Sequence, residues 1–146
     1  MSCALCSAAD VSRVNIVPFE EGLDLCAICA EAALEGWKTV VDAVHAGPGK
    51  IAPQIWHMGM MRKPGTGPDP DAVSDSPSGR THKGKQIQDE PTDSEVADMV
   101  MAYANAAGEA ARLGFDSIEI YGAHGYLVDE FFWGMMNTRS DKYGGD

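Results

Sequence analysis

The stretch Ile118-Glu119-Ile120-Tyr121-Gly122-Ala123-His124-Gly125-Tyr126 carries a short apolar strand straight into three hydrogen-bonding rings separated only by small residues. Before it, Thr92 to Leu113 reads as an amphipathic helix, with Val96, Met99, Val100, Tyr103, Ala107, Ala110 and Leu113 recurring at helical spacing. Thr92 and Glu95 have the spacing of a capping box, in which hydroxyl and carboxylate each accept one of the N–H groups a helix start leaves unpaired. Gly114 stands where a left-handed C-cap is best made without a Cβ. A helix feeding a strand through one glycine is the return half of a βαβ unit. Tyr121, His124 and Tyr126 then fall at the strand's carboxyl end, where α/β folds place their chemistry.

Upstream, Leu34, Trp37, Val40, Val41 and Val44 share one face of a helix that Gly47-Pro48-Gly49 ends, and Ile51 to Trp56 reads as a strand. Residues 58–91 are dense in Gly, Pro, Asp and Ser and show no periodicity. A connection longer than about 15 residues is either a lid over a site or unstructured.

Two ordered blocks carry a family resemblance. The first is Gly36-Trp37-Lys38 and Val40 to Ala46, then Lys50-Ile51-Ala52-Pro53-Gln54-Ile55-Trp56-His57; the second is His124-Gly125-Tyr126 followed by Trp133, Asn137, Arg139, Asp141, Tyr143, Gly144 and Gly145. Over residues 33–146 the chain resembles the Old Yellow Enzyme family of FMN-dependent oxidoreductases. The resemblance implies a (β/α)8 TIM-barrel fold and a two-step exchange. NAD(P)H reduces FMN, and the flavin then gives hydride to the β-carbon of an α,β-unsaturated carbonyl compound. By the same resemblance Tyr121 and His124 are the donors that stabilise charge developing on the carbonyl oxygen. Tyr126 is the phenol that protonates the α-carbon, a task suited to a group that holds its proton at neutral pH. Gln54 is the amide that bonds the polar edge of the flavin, offering it both a donor and an acceptor. Tyr121 departs from the pattern, since the family's ene-reductases place histidine there and its amine-oxidising members tyrosine; Tyr126 favours ene reduction. Without the resemblance, the three rings would be an ordinary polar strand terminus and Gln54 a solvated amide. Asn137, Arg139, Asp141 and Tyr143 read as structural, an Arg–carboxylate pair and a glycine turn fixing the loop after the strand. Phe131, Phe132 and Trp133 read as packing that loop's short helix.

A TIM barrel takes about 250 residues, or close to 200 at its smallest, and this chain has 146. The fold class expected is therefore α/β, a partial barrel of about two αβ units over residues 32–146. The family's first strand and its phosphate-gripping last two strands have no counterpart, so the sequence reads as a fragment or a fused, truncated product whose FMN binding is expected to be weak or absent. Exposed strand edges of a partial barrel make homo-oligomers an expectation too.

Residues 1–31 read as a separate segment. Cys3, Cys6, Cys26 and Cys29 form C-x2-C twice, the spacing that lets two thiolate pairs complete a tetrahedron around zinc. Val11 to Val17 alternates like a strand and Glu21-Gly22 signals a turn, so a small hairpin would carry the second pair. This segment resembles the N-terminal zinc ribbon of PhnA-type proteins. Disulfides are the other reading, disfavoured in a reducing compartment. A zinc-ribbon binding or regulatory module fused to a non-catalytic enzyme remnant is accordingly the second reading of the whole chain.

The net charge of -11 and a pI near 4.6 oppose binding to nucleic acid or to an anionic membrane surface, both of which need a basic face. No apolar run approaches the 18 residues of a membrane span, and the Met1-Ser2-Cys3 start lacks a secretion signal's layout. The expected setting is the cytoplasm and the expected partner a small-molecule substrate.

Overall fold

A computed structural model describes residues 12–13, 24–25, 27–63, 65 and 74–145. Strands β1 (Ser12–Arg13) and β2 (Asp24–Leu25) pair antiparallel, while the rest of the stretch from Val11 to Val17 and the expected turn at Glu21-Gly22 lie outside the described residues. Helix α1 spans Ala27–His45, so it crosses the boundary expected between residues 31 and 32. Strand β3 (Gln54–Ile55), helix α2 (Asp93–Leu113) and strand β4 (Glu119–Ile120) follow, then helix α3 (Leu127–Phe132).

β3 and β4 are parallel, with Gln54 opposite Glu119 and Ile55 opposite Ile120. β3 is shorter than the strand expected from Ile51 to Trp56, yet the hydrogen-bonded ladder runs beyond both strands. Asp116 N donates to Ile51 O at 3.0 Å, Glu119 N to Pro53 O at 2.9 Å and Tyr121 N to Ile55 O at 2.9 Å. Since parallel neighbours need a crossover, β3–α2–β4 is the expected βαβ unit.

α2 begins and ends as its sequence dictates. Thr92 accepts from the Glu95 amide, and the Glu95 carboxylate accepts from Thr92 N at 2.7 Å; Gly114 closes the helix at φ 90. The apolar stripes are narrower than periodicity alone indicates. Val41 is buried while Val40 is exposed, and Val96, Ala110 and Leu113 are buried while Val100 is exposed. A 3.6-residue period fixes a stripe, but only the neighbouring element decides how wide a stripe is covered. Ile55, Leu127 and Met136 complete the buried apolar set, and Trp37 of α1 meets Phe115 at 6.2 Å between ring centroids.

Asp116 ties three segments together at the amino ends of the strands. Its carboxylate accepts from Lys50 Nζ at 2.8 Å, His45 Nε2 at 2.7 Å and Ile51 N at 3.0 Å. The Lys50 ammonium, then His45 and the Ile51 amide, hold this carboxyl well below the usual carboxylate range.

Of the long connection, residues 74–91 form an ordered, partly buried segment, so the unstructured alternative does not hold there. Thr81 N donates to Lys85 O at 2.9 Å and Ile87 N to Gly79 O at 3.0 Å, around a bridge between Arg80 and Gln86. Gly79 has φ 65 and lies so close to Gln88 O that a Cβ would sit 2.4 Å away, so only glycine fits.

Buried Arg139 pins this segment from the chain after α3. It donates from Nη1 to Pro77 O at 2.9 Å and to Pro91 O at 2.6 Å, and pairs with Asp141 through Nε at 3.0 and 3.1 Å and through Nη2. Asn137 Nδ2 donates to Phe131 O at 2.8 Å and Tyr143 O at 2.7 Å. The structural reading of Asn137, Arg139, Asp141 and Tyr143 therefore holds. The aromatic run does not pack α3 as expected: Phe132 is 80 % exposed and Trp133 is exposed too, and Leu127 and Glu130 supply the buried face instead.

Candidate functional site

The chain leaves β4 at Tyr121 and turns back within five residues. Ala123 O accepts from Tyr126 N at 3.4 Å, and the two central residues of that turn, His124 and Gly125, have φ 62 and φ 77. A positive φ is uncommon for any residue but glycine, so His124 is held there by its surroundings. The turn brings the imidazole back over the strand end, where Tyr121 Oη and His124 Nδ1 share a hydrogen bond. Whichever atom carries the shared proton, one outward donor remains: Nε2–H of the imidazole or Oη–H of the phenol.

Tyr126 closes the group. Its ring centroid lies 5.3 Å from that of Tyr121, which is itself 5.7 Å from His124. Trp56, two residues past Gln54 on the neighbouring strand, forms the wall: it meets Tyr126 edge-on at 4.7 Å and Tyr121 at 6.4 Å. Gln54 is exposed and stands two residues before Trp56, the spacing at which an extended chain presents side chains on one side. The three rings and the strand carrying Gln54 therefore assemble at one rim. Trp56 was legible as part of a motif, but nothing in the sequence distinguished its packing role.

His57 anchors rather than lines the site. His57 O accepts from Leu127 N at 3.1 Å, fixing the start of α3, and its Nδ1 accepts from Gly59 N at 3.1 Å. Behind the rings, His82 approaches Gly125 O through Nε2 at 3.2 Å and stacks on Trp133 at 5.8 Å. Glu130, wholly buried on α3, accepts from Met60 N at 3.0 Å. Burial pushes its carboxyl up to about 7 against the opposing pull of the Met60 N–H, with Asp129 and Asp75 adding to the rise. Neither His82 nor Glu130 stands in a pattern that sequence reading could single out.

The expected zinc ligands fall outside the described geometry. Cys3, Cys6 and Cys26 lie outside the described residues, as does the side chain of Cys29, whose backbone belongs to the first turn of α1. Among the described residues no group of three or more His, Cys, Asp or Glu side chains could hold a metal ion.

Parallel strands joined through a helix, with polar rings gathered at their carboxyl rim, are the local arrangement of an α/β barrel. A sequence model of the NADH:flavin oxidoreductase / NADH oxidase family matches residues 20–146. The flavin oxidoreductase hxnT of Emericella nidulans is 41 % identical over 125 residues, covering 81 % of this chain and 32 % of that protein. 12-Oxophytodienoate reductase 2 of Arabidopsis thaliana is 37 % identical over 122 residues, covering 77 % of this chain and 33 % of that protein. Among solved structures, morphinone reductase superposes with a TM-score of 0.69 at 31 % identity, over 80 % of this chain and 35 % of that one. A second structure of that enzyme, in complex with tetrahydroNAD, gives 0.66 at 32 % identity, covering 80 % of this chain and 36 % of that one. This chain belongs to the NADH:flavin oxidoreductase family that includes the Old Yellow Enzymes, and its fold is a partial α/β barrel. It spans about a third of the length of the curated relatives it matches. The match begins at residue 20, so it includes Cys26 and Cys29. No helix among the described residues is long and apolar enough to cross a membrane.

Proposed function

We propose that this chain supplies the substrate-facing donors of an FMN-dependent NAD(P)H oxidoreductase that reduces the C=C bond of α,β-unsaturated carbonyl compounds. The observation that carries the proposal is the cluster of Tyr121, His124 and Tyr126 at the carboxyl rim, beside the strand that bears Gln54. The residues fit one edge of a flavin: Gln54 offers an exposed amide two residues before Trp56, able to give and accept at once. Bound FMN would supply the hydride, itself drawn from NAD(P)H.

The chain's own residues do the rest. The Tyr121–His124 pair directs its outward donor at the substrate carbonyl oxygen, where negative charge grows as hydride reaches the β-carbon. Both groups donate to that oxygen once their mutual bond opens. Tyr126 gives its phenolic proton to the α-carbon, completing C=C reduction, and recovers a proton from water. Trp56, edge-on to Tyr126, fixes the plane of that phenol and keeps water from one side of it.

The test is anaerobic oxidation of NADPH by the full chain with excess FMN, with and without 2-cyclohexenone. Enone-dependent oxidation is expected. Tyr126→Phe should lower it at least tenfold and leave flavin reduction by NADPH unchanged. No enone-dependent turnover, or equal turnover by the variant, overturns the proposal. Zinc binding by Cys3, Cys6, Cys26 and Cys29 is a separate proposal: stoichiometric zinc after chelator-free purification supports it and a metal-free chain removes it.

A further inference from the structure

Glu130 is fully buried, yet only one of its oxygens is satisfied. Oε1 accepts from Met60 N at 3.0 Å and lies 3.4 Å from His82 Nε2, while Oε2 has no hydrogen-bond partner among the described residues. Buried polar atoms without a partner are rare and costly, and the fold makes special room for this one. Gly59 has φ 56, and a Cβ there would come within 2.9 Å of both carboxylate oxygens. On the far side of His82 the same nitrogen stands 3.2 Å from Gly125 O, and a Cβ on Gly125 would meet Nε2 at 3.3 Å. The Gly125 carbonyl can only accept, so Nε2 must carry a proton to bond it. Gly125 is one of the two central residues of the turn, standing between His124 and Tyr126.

We propose that Glu130 and His82 are positioning residues for this site: the buried carboxyl, acting through the Nε2 proton of His82, sets the seat of the Gly125 carbonyl and so the placing of His124 and Tyr126. With Glu130 protonated, the His82 N–H goes to Gly125 O alone. With Glu130 ionised, two acceptors compete for one N–H and the bond to Gly125 weakens. Because burial pushes this carboxyl up to about 7, the exchange falls in the neutral range.

The Met60 amide comes from the 3-10 turn Gly59–Met61, and Asp75 from the 74–91 segment. Asp129 lies on its own helix, and its Oδ2 accepts from Gly125 N at 2.8 Å. Asp75 in turn lies 3.6 Å from His57 Nε2. Asp129 holds the amide of Gly125 and His82 its carbonyl, so the glycine is gripped from both ends.

The catalytic consequence rests on the roles proposed for His124 and Tyr126, but the test contains no flavin, so the two can fail separately. The full chain, labelled with 15N and with 13C at glutamate Cδ, is titrated by NMR from about pH 5.5 to 8.5. The Gly125 and Tyr126 amide signals are expected to move with the midpoint of the Glu130 carboxyl. E130Q should remove that component. H82F, which keeps a ring to stack on Trp133, should leave Glu130 titrating and cut the Gly125 response at least threefold. Amide curves unchanged in either variant overturn the proposal.

Discussion

Replacing Glu130 with glutamine should stabilise the protein, and should do so more as pH rises. The carboxyl rises from 4.5 to about 7 on folding, so the folded state binds a proton that the unfolded chain has released. The linkage sign follows: a raised folded value gives stability that is full below about 4.5, drains away as pH rises, and is gone above about 7. At about 1.4 kcal/mol per unit, the whole loss for this shift of 4.5 to about 7 is about 3 kcal/mol. Of it, about 2 kcal/mol falls between roughly pH 5.5 and 8. E130Q keeps the shape and an acceptor for Met60 N but has nothing to ionise. The difference in unfolding free energy between variant and wild type should therefore grow by about 2 kcal/mol across that interval. For a domain of this size it appears as roughly 6 °C in Tm. Urea and thermal melts followed by circular dichroism at the two pH values measure it, and comparing two pH values cancels any constant effect of the amide. A variant-minus-wild-type difference that is the same at both, or that shrinks as pH rises, refutes the reasoning.

Three further outcomes are expected. Thr92→Ala removes the hydroxyl half of the capping box and should lower stability by about 1 kcal/mol, read as a fall in urea midpoint with unchanged slope. Gly59→Ala forces a Cβ to within 2.9 Å of both Glu130 oxygens at a φ of 56. It should cost on the order of 2 kcal/mol or more, and E130A combined with it should recover part of the loss by opening space. Asp116 has the opposite sign from Glu130: its carboxyl is depressed by Lys50, His45 and the Ile51 amide. Its contribution is present above the unfolded value of 3.8 and is lost as pH falls. D116N should therefore flatten the acid limb of a stability profile, and an acid limb as steep as wild type would count against the clamp.

Several features were decided locally and could be read from the chain alone. Thr92, Glu95 and Gly114 punctuate α2 because capping depends on a hydroxyl, a carboxylate and a missing Cβ within a few residues of each other. The order strand, helix, glycine, strand fixed the parallel pairing, and with it the rim at which Tyr121, His124 and Tyr126 emerge. Periodicity placed the apolar stripes but could not tell Val41 from Val40, or Val96 from Val100, because burial depends on what covers the helix. Other features required tertiary structure. Arg139 reaches the carbonyls of Pro77 and Pro91, His82 crosses to Gly125, and Gly59 opens the space for Glu130. No local pattern records such meetings, since a carbonyl acceptor exists at every residue and only the folded path selects which one a distant guanidinium or imidazole will find.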